Sequence, residues 1–103
     1  MQYDDGVLIA NLTPFNDDLS VDWEALRHLT RRLNGIDGVR GFVVNAYAGE
    51  GPTLTVEERT RAIAVHREES KSEQAVVAAI LDTSTAGAIH QAREAAPRGR
   101  IRC

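Results

Sequence analysis

Cysteine is nearly absent: the single thiol is Cys103, the last residue, so the chain has no internal disulfide and no cysteine placed for nucleophilic catalysis. Basic charge is also short. With 12 Lys and Arg against 15 Asp and Glu, the net charge of −3 offers no general surface for a phosphate backbone. The one basic cluster, Arg93, Arg98, Arg100 and Arg102, reads as a solvated tail. Long hydrophobic runs are missing too. The longest, Ala75 to Leu81, falls far short of the ~20 residues of a membrane helix, and Asp4 and Asp5 stand where a secretory signal would carry Lys or Arg. His28, His66 and His90 are scattered over helices away from strand ends and make no ligand set for a metal. These absences lead us to expect a cytoplasmic protein with no cofactor, no metal, no nucleic-acid partner and no membrane.

What remains is ordinary for a globular chain: 43% hydrophobic and 26% charged residues exclude the disordered and fibrous classes. A length of 103 residues allows one small domain and not two. Gly6 to Leu12 is an apolar run stopped by Thr13-Pro14, because proline has no amide for a continuing ladder. After the polar turn Asn16-Asp17-Asp18, Ser20 is expected to cap a helix in which Trp23, Leu26, Leu29 and Leu33 recur at helical spacing up to Asn34-Gly35. Val39 to Asn45 reads as a second, buried strand. Thr55 with Glu58 three residues on is a capping box, opening a helix from Val56 to about Glu69. A third strand, Ala75 to Leu81, leads through Asp82-Thr83-Ser84-Thr85 into a helix carrying Ala88, Ile89, Ala92 and Ala96. Strands starting near residues 6, 39 and 75 are spaced as βαβ crossovers, so the expected fold is α/β, a parallel (βα)3 segment. Pro97 and Gly99 break the last helix, and Ile101-Arg102-Cys103 is too short for a strand of its own. Residues 1–95 are therefore expected to form the βα units and 96–103 a divergent, unstructured tail.

The richest stretch is Gly41 to Arg59, where an apolar strand runs into a glycine-bearing loop and then into the capped helix. In α/β proteins the loops at the carboxyl ends of strands are where ligands sit. Taken in order, Gly6-Val7 to Thr13-Pro14-Phe15, Asp37-Gly38, Gly49-Glu50 and Leu54-Thr55-Val56-Glu57-Glu58-Arg59 resemble the amino-terminal part of the dihydrodipicolinate synthase/N-acetylneuraminate lyase family over residues 6–95. The resemblance implies the amino-terminal part of a TIM (β/α)8 barrel, about three of its eight units, and a homo-oligomer, often a tetramer. It also implies class I aldolase or related lyase chemistry, in which a lysine on a later strand forms a Schiff base with pyruvate or another 2-oxo acid and a tyrosine relays protons.

Neither catalytic residue is matched here. Lys71 is the only lysine, in the polar turn Glu68-Glu69-Ser70-Lys71-Ser72-Glu73, whereas a Schiff-base lysine needs a desolvated pocket. The resemblance places Tyr47, Ala48 and Gly49 at the substrate carboxylate, with Thr13 of the Thr-Pro motif beside the barrel mouth or simply closing its strand. Two small hydroxyl residues usual before the Gly-Glu are replaced by Tyr47 and Ala48, which leaves the backbone N–H groups of Ala48 and Gly49 to hold a carboxylate. That departure points away from lysine biosynthesis and toward a different 2-oxo acid or sugar acid. Glu50 has two readings, a carboxylate at the site or a buried group fixing loop amides. Asp82 to Thr85 likewise either touch ligand or cap the helix. The expected function is the N-terminal fragment of a Schiff-base-forming lyase, inactive alone and cut short by a frameshift or premature stop. The alternative is a non-enzymatic short product or interaction module. Open sheet edges predict that the isolated chain is weakly stable and associates.

Overall fold

The computed structural model describes residues 6–97 and the backbone of Arg100–Arg102. The readings that rest on Tyr3, Asp4, Asp5, Arg98, Gly99 and Cys103 lie outside these residues. In chain order the elements are β1 (Val7–Ala10), α1 (Trp23–Asn34), β2 (Val39–Val44), a 3-10 turn (Gly51–Thr53), α2 (Val56–Glu69), β3 (Ala75–Ala79), α3 (Thr85–Ala95) and β4 (Arg100–Arg102). The strands form one sheet in the order β1-β2-β3-β4, and every neighbouring pair is parallel. This is the expected (βα)3 arrangement with a short strand added.

The period of two along each strand decides which side chains meet the helices. Phe42 and Val44 of β2 and Val76 and Ala78 of β3 pack with Leu26 of α1, Ala62, Ile63 and Val65 of α2, and Ala95 of α3 into a single core, with Ile9 of β1 against it. By the same alternation Leu8, Ala10, Val43, Val77 and Ala79 belong to the other face of the sheet, where Val77 is buried and the other four are not. One face of the sheet is thus covered by helices, and the opposite face has no helix of the described residues over it.

Local chemistry explains most boundaries. α2 starts at the capping box: the Thr55 hydroxyl accepts from the Glu58 N–H at 3.1 Å while a Glu58 carboxylate oxygen accepts from the Thr55 N–H at 2.8 Å. Replacing Thr55 by alanine is expected to cost about 1 kcal/mol, the usual worth of such a cap. A urea midpoint equal to that of the parent chain would contradict it. α1 starts two residues later than expected, at Asp22, whose carboxylate accepts from the Ala25 N–H at 3.0 Å. Ser20 is not free to cap, because its N–H and hydroxyl are both held by Asp18 at 3.0 and 2.6 Å. The intervening Val21 pairs with Phe15 in an antiparallel bridge. α1 and α2 are joined at their solvent edge by Arg27 and Arg31, which pair with Glu69, and by Arg27 with Glu68.

The tail needs a correction. Arg100–Arg102, expected to be irregular, forms β4 in parallel register with β3, pairing Val77 with Arg100, Ala78 with Ile101 and Ala79 with Arg102. The outer edge of β3 presents a row of backbone donors and acceptors, and three residues satisfy them whatever their side chains are. A search for an apolar run passes over such a strand.

Candidate functional site

Because the strands are parallel, the carboxyl ends of β1, β2 and β3 lie at the same end of the sheet. The loops leaving them carry Thr13, then Tyr47-Ala48-Gly49-Glu50, then Asp82 to Thr85. Lys71 immediately precedes β3, so it belongs to the opposite end, where it is exposed and its N–H is bound by the Gln74 side chain at 2.9 Å.

The second loop is wound around Asn45, which ends β2 in the left-handed conformation with φ 65°. Asparagine is one of the few residues that adopts it readily. Its side chain is buried, and Nδ2 donates to the Arg59 carbonyl at 3.1 Å. Gly51 lies so close that a Cβ there would run into the Asn45 carbonyl oxygen, which makes glycine obligatory. The Ala46 carbonyl accepts from the N–H groups of both Gly49 and Gly51 at 3.1 Å, and the Glu50 N–H donates to Tyr47. From α2, the Arg59 guanidinium closes the far side, donating to the carbonyls of Leu54 at 2.6 Å and Gly51 at 3.3 Å.

Thr13 and Gly49 are brought together: the Thr13 hydroxyl donates to the Gly49 carbonyl at 2.7 Å and so laces the first loop to the second. Of the two expected carboxylate donors, the Gly49 N–H is committed to Ala46, while the Ala48 N–H has no partner among the described residues. Tyr47 points elsewhere. It is 77% exposed and lines a cleft of about 360 Å³ together with Pro52, Arg59, Ile80, Leu81, Asp82, Thr83 and Gln91.

Glu50 is not buried. It is exposed with φ 58° and makes no side-chain cap bond, because its left-handed backbone turns the side chain outward while its neighbours Gly49 and Gly51 face in. The loop is fixed instead by Asn45 and Arg59, which the sequence reading did not single out. An Asn at the end of an apolar strand, before a glycine-rich turn, was the available signal for the first. In the third loop, capping prevails. Ser84 accepts from the Gly87 N–H at 3.0 Å, and Asp82 accepts from the Ser84 N–H and the Gln91 amide, both at 2.9 Å. The bond from the Ser84 N–H, followed by that from the Gln91 side-chain amide, holds the Asp82 carboxyl below the usual carboxylate range.

A second polar cluster lies behind the mouth, in the helix–sheet core. Asn11, Thr30 and His66 are each 4% exposed or less. The Ala62 carbonyl, 2.7 Å from Nδ1 of His66, can only accept, so Nδ1 carries the proton and Nε2 accepts from Asn11 Nδ2 at 3.0 Å. The Asn11 oxygen accepts from the Leu12 N–H at 2.9 Å, which fixes the orientation of the amide. The imidazole sits edge-on to the Phe42 ring, centroids 5.3 Å apart. Burial pushes its pKa below the ordinary histidine value, opposed by the bond to Ala62. His28 and His90 are exposed, and among the described residues no group of three His, Cys, Asp or Glu side chains is placed to hold a metal ion.

Comparison with known proteins accounts for this arrangement. The sequence model of the dihydrodipicolinate synthetase family matches residues 4–102. The chain belongs to that family. Among curated relatives, the 4-hydroxy-tetrahydrodipicolinate synthase of Chlorobium phaeobacteroides is 35% identical over 94 residues, 91% of this chain and 31% of the relative. That of Chloroherpeton thalassium is 38% identical over 96 residues, with the same shares covered. Among solved structures, dihydrodipicolinate synthase from Aquifex aeolicus superposes with a TM-score of 0.78 at 31% identity, covering 93% of this chain and 32% of that one. Proteus mirabilis N-acetylneuraminate lyase gives 0.79 at 28%, covering 88% and 30%. The chain thus spans about a third of the length of the relatives it matches. As a member of the dihydrodipicolinate synthetase family it supplies the amino-terminal strands of a TIM barrel, and its uncovered sheet face corresponds to the barrel interior. The match extends to residue 102, beyond the residue 95 at which the sequence resemblance was expected to stop.

Proposed function

We propose that this chain is the amino-terminal portion of a Schiff-base-forming lyase acting on pyruvate or another 2-oxo acid, with Thr13, Tyr47, Ala48 and Gly49 at the end of the pocket that receives the substrate carboxylate. The observation that carries this reading is the Thr13–Gly49 bond, which ties two family motifs into one mouth at the carboxyl ends of β1 and β2. In it the N–H groups of Tyr47 and Ala48 are left to donate to a carboxylate, while the Tyr47 phenol borders the cleft beside Asp82 and Thr83. Glu50 shapes the turn through its backbone. The nucleophilic lysine is assigned to a later strand of the barrel, since Lys71 is exposed at the opposite end, where nothing desolvates it.

This chain by itself is therefore expected to form no Schiff base. Purified chain incubated with pyruvate and borohydride should keep its mass. A stoichiometric pyruvate adduct on Lys71 would overturn the assignment.

A further inference from the structure

We infer that His66, through its hydrogen bond to Asn11, is a positioning residue that holds the mouth loops in place while its ring is neutral and releases them when it is protonated. A continuous path links the two. His66 Nε2 accepts from Asn11 Nδ2 at 3.0 Å, Asn11 Oδ1 accepts from the Leu12 N–H at 2.9 Å, and the next residue, Thr13, donates to the Gly49 carbonyl at 2.7 Å. The Asn11 carbonyl also lies against Gly49, 3.0 Å from where a Cβ would be. Asn11 thus joins a buried ring on α2 to both loops of the mouth.

Protonation reverses the role of one atom. With Nδ1–H committed to Ala62, the second proton goes to Nε2, and two donors then face each other across the bond to Asn11. No rotation of the amide repairs this without cost, because turning its oxygen toward the ring puts the NH2 against the Leu12 N–H, again donor to donor. Among the described residues no carboxylate pairs with the ring. Thr30 of α1 donates its hydroxyl to the Leu26 carbonyl, and Phe42 of β2 presents a ring edge. Of the charged groups at the α1–α2 contact, Arg27, Arg31, Glu68 and Glu69 pair among themselves at its solvent edge, and the exposed Arg61 lies over the Trp23 ring. β1 carries no charged side chain, and β2 carries only Arg40, exposed near its amino end. The sign follows. A histidine that burial keeps neutral contributes stability that is complete above its unfolded-state pKa, about 6.5, and is lost as the pH falls below that value. The inference stands whether or not the mouth takes a 2-oxo acid.

Hydrogen exchange of the full chain, read by mass spectrometry at about pH 7.5 and about pH 5 and corrected for intrinsic rates, tests it. At the lower pH, segments 9–16 and 45–52 should lose protection by at least about tenfold relative to segment 84–91 at the start of α3. Asn11→Asp separates positioning from general instability. Its carboxylate accepts from both Leu12 N–H and a doubly protonated His66, so the mouth should stay protected at the lower pH, and the ring should titrate at higher pH than in the parent chain. Protection unchanged between the two pH values, lost equally everywhere, absent at both, or lost in Asn11→Asp as in the parent, overturns the inference.

Discussion

Truncation of Phe42 to alanine is expected to remove about 3–5 kcal/mol of stability, the loss typical of deleting a fully buried aromatic ring. Phe42 is 0% exposed at the centre of the helix–sheet core, between Leu26 of α1 and the α2 residues Ala62 and Ile63, and its ring meets His66 edge to face. Two losses combine: the transfer free energy of the ring, and a cavity that helices anchored at the capping box and at the Arg27 and Arg31 pairs cannot close. A small domain has on the order of 5–15 kcal/mol in all, so the variant should be largely unfolded in mild denaturant where the parent is folded. Phe42→Leu, which keeps most of the volume, should lose much less. Circular dichroism across a urea series measures both. A loss below about 1 kcal/mol for the alanine variant would mean that Phe42 does not organise this core.

The second large effect concerns the loop proposed to receive the substrate carboxylate, in a complete barrel made by adding the remaining βα units. There the double change Tyr47→Thr with Ala48→Thr is expected to tighten pyruvate binding and to weaken binding of a bulkier 2-oxo acid. The Gly49 N–H is held by Ala46, so the loop offers a carboxylate the N–H groups of Tyr47 and Ala48 and whatever side chains stand at residues 47 and 48. Tyr47 faces the cleft toward Asp82 and Thr83, while Ala48 has no polar group to offer. Two hydroxyls would add short donors where the parent has at best one long phenol. A hydrogen bond to a charged group is worth roughly 1.5–3 kcal/mol, so the gain for pyruvate should exceed about tenfold. Binding constants that do not move for either ligand would take the carboxylate away from this loop.

The parts of the fold legible in the sequence are those governed by local rules. The apolar run after Gly38 and the Thr55–Glu58 pair three residues apart act over a few positions, and β2 and α2 start where expected, whereas β1 ends at Ala10, two residues short of the expected Leu12. Ser20 and Asp22 show where local rules compete: either can cap, and the choice falls to Asp22 because Asp18 and the Phe15–Val21 bridge claim the residues before it. Glu50 and β4 depended on something no window along the chain contains. The first turns outward because Asn45 and Gly51 meet across the loop, and the second forms because β3 has an open edge. The Asn11–His66 pair spans 55 positions. Each residue alone looks like an ordinary polar side chain, and only the packing of α2 against the sheet, beside the residue that follows β1, makes them one unit.

The most direct test of the central reading is borohydride trapping on a complete barrel, made by joining this chain to the remaining βα units of the family fold, using pyruvate and a sugar-derived 2-oxo acid in parallel. The account predicts a stoichiometric adduct with at least one of them, on a lysine of a later strand, outside this 103-residue chain. A folded barrel that traps neither acid, or an adduct that maps to Lys71, would contradict it.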